Sequence, residues 1–157
     1  MISNFHGKYA FLSNFWSVPV RYEGLRYPTL EHAYQAAKTL DRDNRLAIAS
    51  IPAWEAAKAK KAGRKLAMRP DWDTVKVSIM RELIKEKFHP HTELSQMLLD
   101  TGDQELVEGN WWGDTFWGIC HGTGENWLGK LLMERRSELK LLSTVSLLVT
   151  TLLPFVS

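Results

Sequence analysis

Tyr27-Pro-Thr-Leu-Glu-His-Ala-Tyr-Gln-Ala-Ala-Lys38, continuing into Thr39-Leu40, is the stretch from which the rest of the chain is read. Pro28 and Thr29 open a helix predicted over Pro28–Leu40. Thr29 is suited to the N-cap and His32 falls at the third helical position. On a wheel of about 100° per residue with Glu31 at zero, Lys38 lies near −20°, Gln35 near 40° and Tyr34 near −60°. Ala33, Ala36, Ala37 and Leu40 fall on the other side, a face small enough for another helix to approach closely. Two readings fit the polar stripe. It is either a solvated face, with i,i+4 contacts worth a few tenths of a kcal/mol, or the wall of a site carrying a carboxylate, an amide, a phenol and an ammonium.

On the N-terminal side, Tyr9–Trp16 reads as extended or turn structure. Val18–Tyr22, Glu23-Gly24 and Leu25–Tyr27 form a short hairpin. Beyond the helix, patterns predict helices over about 43–50 and 52–62. The second starts at Pro52 and is expected to stop with Gly63 in the C′ position. Asp71-Trp-Asp73 is expected to cap a longer helix reaching Phe88, with Val75, Ile79, Leu83 and Ile84 on its apolar stripe. A short helix follows over about His91–Leu99, then an irregular Trp- and Gly-rich stretch over Leu106–Cys120 with short strands, then a last helix over about Trp127–Leu139. The expected fold is mainly α (α+β): a single compact helical domain over 1–140 with a small N-terminal β-hairpin. Residues 141–157 form an apolar tail, expected as a docked or poorly ordered segment and not as a separate domain. That tail is shorter than the ~20 apolar residues of a membrane span, carries several hydroxyls and contains Pro154, so no stable membrane association is expected.

The 157 residues suit one domain with its own core. A net charge of +2 is too small to argue for nucleic-acid binding by itself. Cys120, the single cysteine, excludes an intrachain disulfide framework and any zinc site built on several thiolates. It fits a reducing compartment, and Met1-Ile-Ser-Asn-Phe5 has neither the basic nor the apolar region of a signal peptide, so a cytoplasmic protein is expected. The five histidines show no ligand spacing, and Pro90 between His89 and His91 points to a loop. No metal and no cofactor is expected.

Seven tryptophans are the compositional anomaly. Those beside Gly, Asn and Asp suit a pocket for a planar ligand. Two constellations could complete such a pocket. Gly63-Arg64-Lys65 and Arg69-Pro-Asp71-Trp72 surround a helix start, which with two guanidiniums suits a phosphate; the alternative is that Asp71 merely caps and Trp72 merely packs. Glu108-Gly-Asn-Trp-Trp-Gly-Asp114-Thr-Phe-Trp117-Gly118, then His121–Asn126, combines Trp faces that can stack on a base with glycines that let backbone approach a ligand.

Taken together, Phe11-Leu-Ser-Asn14-Phe15, the Tyr27–Lys38 stretch, Gly63-Arg64, Trp72-Asp73, Lys87-Phe88, Leu106-Val-Glu108, Trp112-Gly-Asp114, Trp117-Gly118 and Asn126–Arg136 resemble the YbiA-like, or NADAR, family over about residues 5–139. The resemblance implies a compact, mainly α fold with a small β element and N-glycosidic chemistry. Some members hydrolyse ribosylamino-pyrimidine phosphates, intermediates of riboflavin biosynthesis; others remove ADP-ribose from guanine in nucleic acid. The expected function is hydrolysis of the ribose C1′–N bond of a small phosphorylated ribosylamine. The alternatives are an ADP-ribosyl-guanine hydrolase acting on modified nucleic acid and a non-catalytic ADP-ribose- or NAD-binding module. By resemblance, Glu31 is the family's key glutamate, Lys38 the lysine seven residues on, Trp72 the tryptophan after the Gly-Arg segment, and Trp117 that of the Trp-Gly pair. Ile119-Cys120 stands where riboflavin-type relatives place a carboxylate, which makes Asp114 the nearest substitute. The expected catalytic set is Glu31, Lys38 and Asp114. The expected substrate-binding set is Asn14, Phe15, His32, Tyr34, Gln35, Arg64, Arg69, Trp72, Trp117 and Asn126. In that scheme Arg64 and Arg69 hold the phosphate, and Trp72 and Trp117 sandwich the base.

Overall fold

The computed structural model describes residues 1–152. The N-terminal stretch winds into a 3₁₀ turn over Gly7–Leu12, where its turn-like pattern suggested less regular structure. Strands β1 (Ser17–Tyr22) and β2 (Leu25–Thr29) then pair antiparallel, with Val20 opposite Tyr27 and Tyr22 opposite Leu25. Glu23 and Gly24 both take positive φ, 44° and 79°, as a two-residue turn matched to strand twist requires. The register slips between Ser17 and Val20, around Pro19, which has no N–H for the ladder.

Helix α1 (Leu30–Ala37) starts where the sequence predicts, with the Thr29 side chain accepting from the His32 N–H. It is shorter than expected: Lys38 is its C-cap, and Leu40 lies beyond it, 64% exposed, rather than on the alanine face. All eight of its residues are buried, so the solvated-face reading of the polar stripe fails. α1 touches β1, β2, α2 (Arg42–Ala49), α3 (Ala56–Gly63) and α4 (Trp72–Lys87), and so forms the axis of the domain. Ala33, Ala36 and Ala37 are fully buried; side chains this small let flanking helices approach closely.

Pro52 precedes a 3₁₀ turn over Ala53–Glu55, and α3 begins only at Ala56. Gly63 is its last residue rather than a left-handed C′ residue; the residue is needed for space, because a Cβ there would lie 1.9 Å from Gln35 Oε1. Asp71 sits at the N-cap of α4 but makes no capping bond, because its carboxylate pairs with Arg69 at 2.6 Å. Of the predicted α4 stripe, Ile79, Leu83 and Ile84 are buried, and Val75 packs half-buried against the same core. α5 (Glu93–Leu99) opens with a capping box between Thr92 and Ser95. Strands β3 (Gly109–Asn110) and β4 (Ile119–Cys120) pair parallel within the Trp-rich stretch.

Helix α6 runs over Trp127–Leu152 and so does not stop near Leu139. Leu128, Leu131, Leu132 and Leu139 form its buried stripe. Arg135 donates to Phe88 O at 3.1 and 3.0 Å, closing the end of α4, while Arg136 reaches Thr101 Oγ1 and Gln104 O beyond α5. Past Lys140 the apolar tail continues the helix because no Gly or Pro interrupts it before Pro154. Ser143, Thr144 and Thr150 return their hydroxyls to carbonyls four residues back. Residues 141–150 are exposed, so that part of the expected tail is an exposed helix, and residues 153–157 lie outside the described residues. Among the described residues no helix is long and apolar enough to cross a membrane.

Candidate active site

The polar side of α1 looks into a cavity of about 400 Å³, closed by the Ser13–Phe15 loop, α3, α4 and the Trp-rich stretch. Glu31 is 5% exposed and accepts from Gln35 Nε2 at 2.7 Å, an i,i+4 contact that fixes the carboxylate. Burial raises its pKa above the usual carboxylate range, opposed by the Gln35 hydrogen bond and by the charges of Lys60 and Lys38. Lys38 is half-buried, with Nζ 5.6 Å from the Tyr34 ring. Burial lowers its pKa against the pull of Glu31, enlarging the fraction present as free amine.

Asn14 and Phe15 line the cavity. Asn14 O accepts from Glu31 N at 3.0 Å, and the neighbouring Ser13 O accepts from Lys87 Nζ at 2.6 Å. The Lys87 ammonium is buried, and this burial lowers its pKa to about 7. Loop and helix start are thus tied together behind the cavity.

Tyr34 also lines the cavity, with both expected tryptophans packed on it. The Trp72 ring lies 5.2 Å from the Tyr34 ring, Trp117 lies 5.5 Å away, and Trp117 Nε1 donates to Tyr34 Oη at 3.1 Å. The two tryptophans therefore hold the phenol instead of flanking an open slot, and of the two only Trp117 reaches the cavity wall. The rim aromatics are Phe15 and Trp112, with Lys60 Nζ 5.9 Å from each ring.

Other expected residues lie elsewhere. His32 is fully buried with Nδ1 2.7 Å from Thr29 Oγ1, and burial lowers its pKa, so it serves the helix cap as a neutral ring. Arg64 is exposed at the end of α3, and Arg69 is spent on Asp71; neither lines the cavity. The cations that do are Lys38 and Lys60. Asn126 lies beneath the Trp-rich stretch, where Oδ1 accepts from Glu108 N at 3.0 Å and Nδ2 donates to Leu106 O at 2.9 Å. Asp114 lines the cavity, but its Oδ1 accepts from Phe116 N and Trp117 N, which aims Trp117.

Sequence reasoning left two charged residues of the cavity lining, Lys60 and Glu108, out of the candidate set. Lys60 gave no signal, since Lys58-Ala-Lys60-Lys61 reads as a solvated helix face. Glu108 did give one: it is the acid of the Leu106-Val-Glu108 stretch that helped carry the family resemblance. Burial comes first among the causes that raise its carboxyl to about 7.

Gly63→Ala tests the support of Glu31. The new Cβ would also lie 2.9 Å from Gln35 Cβ, so the Gln35 amide must move. We expect a destabilisation of about 1–3 kcal/mol from overpacking. Losing a hydrogen bond to the charged form raises the Glu31 pKa, so the acid limb of kcat against pH should move upward. An unshifted limb would show that Gln35 does not tune Glu31.

This chain belongs to the NADAR family, whose domain model matches residues 2–140. It is similar to the N-glycosidase YbiA of Escherichia coli strain K12, 39% identical over 132 residues that span 83% of this chain and 82% of that protein. A riboflavin biosynthesis protein of Vibrio vulnificus is 39% identical over 135 residues, covering 84% of this chain and 36% of that longer protein. The NMR structure of the E. coli protein YbiA superposes with a TM-score of 0.79 at 37% identity, covering 92% of this chain and 88% of that one. The α+β fold with its small N-terminal hairpin agrees with that neighbour.

Proposed function

We propose that the chain is an N-glycosidase that hydrolyses the ribose C1′–N bond of a small phosphorylated ribosylamine such as a ribosylamino-pyrimidine phosphate, with residues 1–140 as the catalytic unit in the cytoplasm. The observation that carries this reading is Glu31, a carboxylate sealed at the base of an aromatic-lined cavity with Lys38 and Lys60 beside it. Breaking C1′–N builds positive charge on the ribose, and a fixed carboxylate in a water-poor site stabilises that charge and orients water. Lys60, at the rim, supplies the cation for the phosphate that Arg64 and Arg69 do not reach. The cavity's about 400 Å³ lies toward the small end of the roughly 300–1,000 Å³ typical of ligand sites, which favours a mononucleotide. Removal of ADP-ribose from guanine is the second reading, favoured by Trp112, 49% exposed at the rim, where a further base could stack.

Purified protein assayed in parallel on a ribosylamino-pyrimidine phosphate and on DNA carrying ADP-ribosylated guanosine separates the two readings. Base release from the first alone supports the mononucleotide; release of neither overturns the N-glycosidase assignment. Lys38 adds a second expectation. Its amine can attack the aldehyde carbon of a ring-opened ribose, losing water to form a Schiff base. Borohydride added during turnover should then trap a covalent adduct in the wild type and none in Lys38→Met. Without an adduct, Lys38 acts through its charge.

A further inference from the structure

The cavity holds three carboxylates, and two are committed. Glu31 is held by Gln35, and Asp114 orders the backbone that carries Trp117. Glu108 is different: its Oε2 is buried and has no hydrogen-bond partner among the described residues. An unpaired buried carboxyl oxygen costs stability, so its retention in a cavity points to chemistry. The backbone around it is built to hold it. Glu108 N donates to Asn126, and Glu108 O accepts from Ile119 N at 2.9 Å. A Cβ on Gly118 would lie 2.1 Å from Glu108 O and 3.1 Å from its Cγ, so this glycine lets β4 close against the acid.

We propose that Glu108 is the general acid of the reaction, giving its proton to the departing base nitrogen as the C1′–N bond breaks. The inference rests on the N-glycosidase reading above. As the bond breaks, its electron pair stays on the base nitrogen and takes the Glu108 proton. Water oxygen bonds to C1′ and passes a proton to the Glu31 carboxylate. One water is consumed, and proton exchange through solvent restores both acids. Glu108 thus supplies the acid that the Ile119-Cys120 segment lacks.

The charged groups that act on Glu108 are Asp114 and Glu31, which raise its pKa, and Lys60 and Lys87, which lower it; burial outweighs them all and sets it at about 7. The group is therefore protonated below that pH and lost as an acid above it.

The test compares wild type with Glu108→Gln on two ribotides. A ribosylamino-pyrimidine phosphate leaves through an amine nitrogen that needs a proton. Nicotinamide mononucleotide carries a cationic base that leaves neutral and needs none. We expect kcat to fall roughly 10²–10⁴-fold on the first and to stay within about threefold on the second. The wild-type rate on the first should decline above about pH 7, the residual rate of Glu108→Gln should be flat there, and Glu108→Asp should keep the decline. Equal losses on both ribotides, or an alkaline decline that survives in Glu108→Gln, would overturn the proposal. If nicotinamide mononucleotide is not turned over, the pH profile decides. Failure of the wild type to release base from either ribotide would instead sink the reading of a small phosphorylated ribosylamine as substrate, so the two failures are distinguishable.

Discussion

Replacing Glu31 by Gln is expected to lower kcat on the order of 10³-fold while leaving ligand affinity nearly unchanged. The substitution keeps shape and volume, and the carbonyl oxygen of the introduced amide can still accept from Gln35 Nε2, so the fold is preserved. What disappears is the negative charge at the developing cation, an interaction worth most in the transition state. A ligand-binding module would respond differently, with a changed affinity and no rate to lose. The same variant carries a stability prediction of opposite sign. Burial raises the Glu31 pKa, so the folded chain binds that proton more tightly than the unfolded chain does. The stabilising contribution is present below the unfolded value of about 4.5 and is lost as pH rises through the folded value. By pH 8 the wild type has lost stability through this titration, because its unfolded carboxyl ionises above about 4.5, whereas the neutral amide of the variant does not titrate. Thermal melts should therefore show an equal or higher Tm for Glu31→Gln at pH 8, with the difference shrinking toward pH 4. A variant with wild-type kcat would remove Glu31 from the mechanism; a variant that melts lower at pH 8 would give it a structural role.

Asn126→Ala is expected to cost about 3 kcal/mol, because two backbone groups, the partly buried Glu108 N and the buried Leu106 O, lose their partners together. In a chain of this length that corresponds to a Tm lower by roughly 6–12 °C. Asn126 also takes a positive φ of 54°, which Asn tolerates better than Ala. Activity should fall as well, since Glu108 loses the bond that fixes its backbone. Asn126→Asp keeps an acceptor for Glu108 N and loses only the donor to Leu106 O, so its Tm should fall less. A direct substrate contact would instead raise KM without moving Tm, and calorimetry beside steady-state kinetics distinguishes the two.

Much of this organisation was legible in the chain. Thr29 before Leu30-Glu31-His32 marked a helix start through local hydrogen bonding alone, and Glu23-Gly24 marked the hairpin through backbone sterics. The extents were less legible. α1 stops at Ala37 although its pattern runs on to Leu40, and α6 passes Leu139 because exposed apolar residues can continue a helix whose backbone bonds are already propagating. The wheel could not say whether the polar stripe of α1 was wet or walled. That depended on the Ser13–Phe15 loop and the Trp-rich segment closing over it.

Glu31 was thus fixed by sequence as a residue one helical turn from Gln35 and two from Lys38, since i,i+4 and i,i+7 spacing sets a common face wherever the helix lies. Its chemistry was decided by tertiary structure. Desolvation, the approach of Lys60 from α3 and the arrival of Glu108 from a segment more than seventy residues away are long-range effects that no local pattern encodes. The same packing turned Trp72 and His32 inward as supports and left Arg64 and Arg69 outside the cavity, because side-chain type gives a residue's capacity while its surroundings set what it faces.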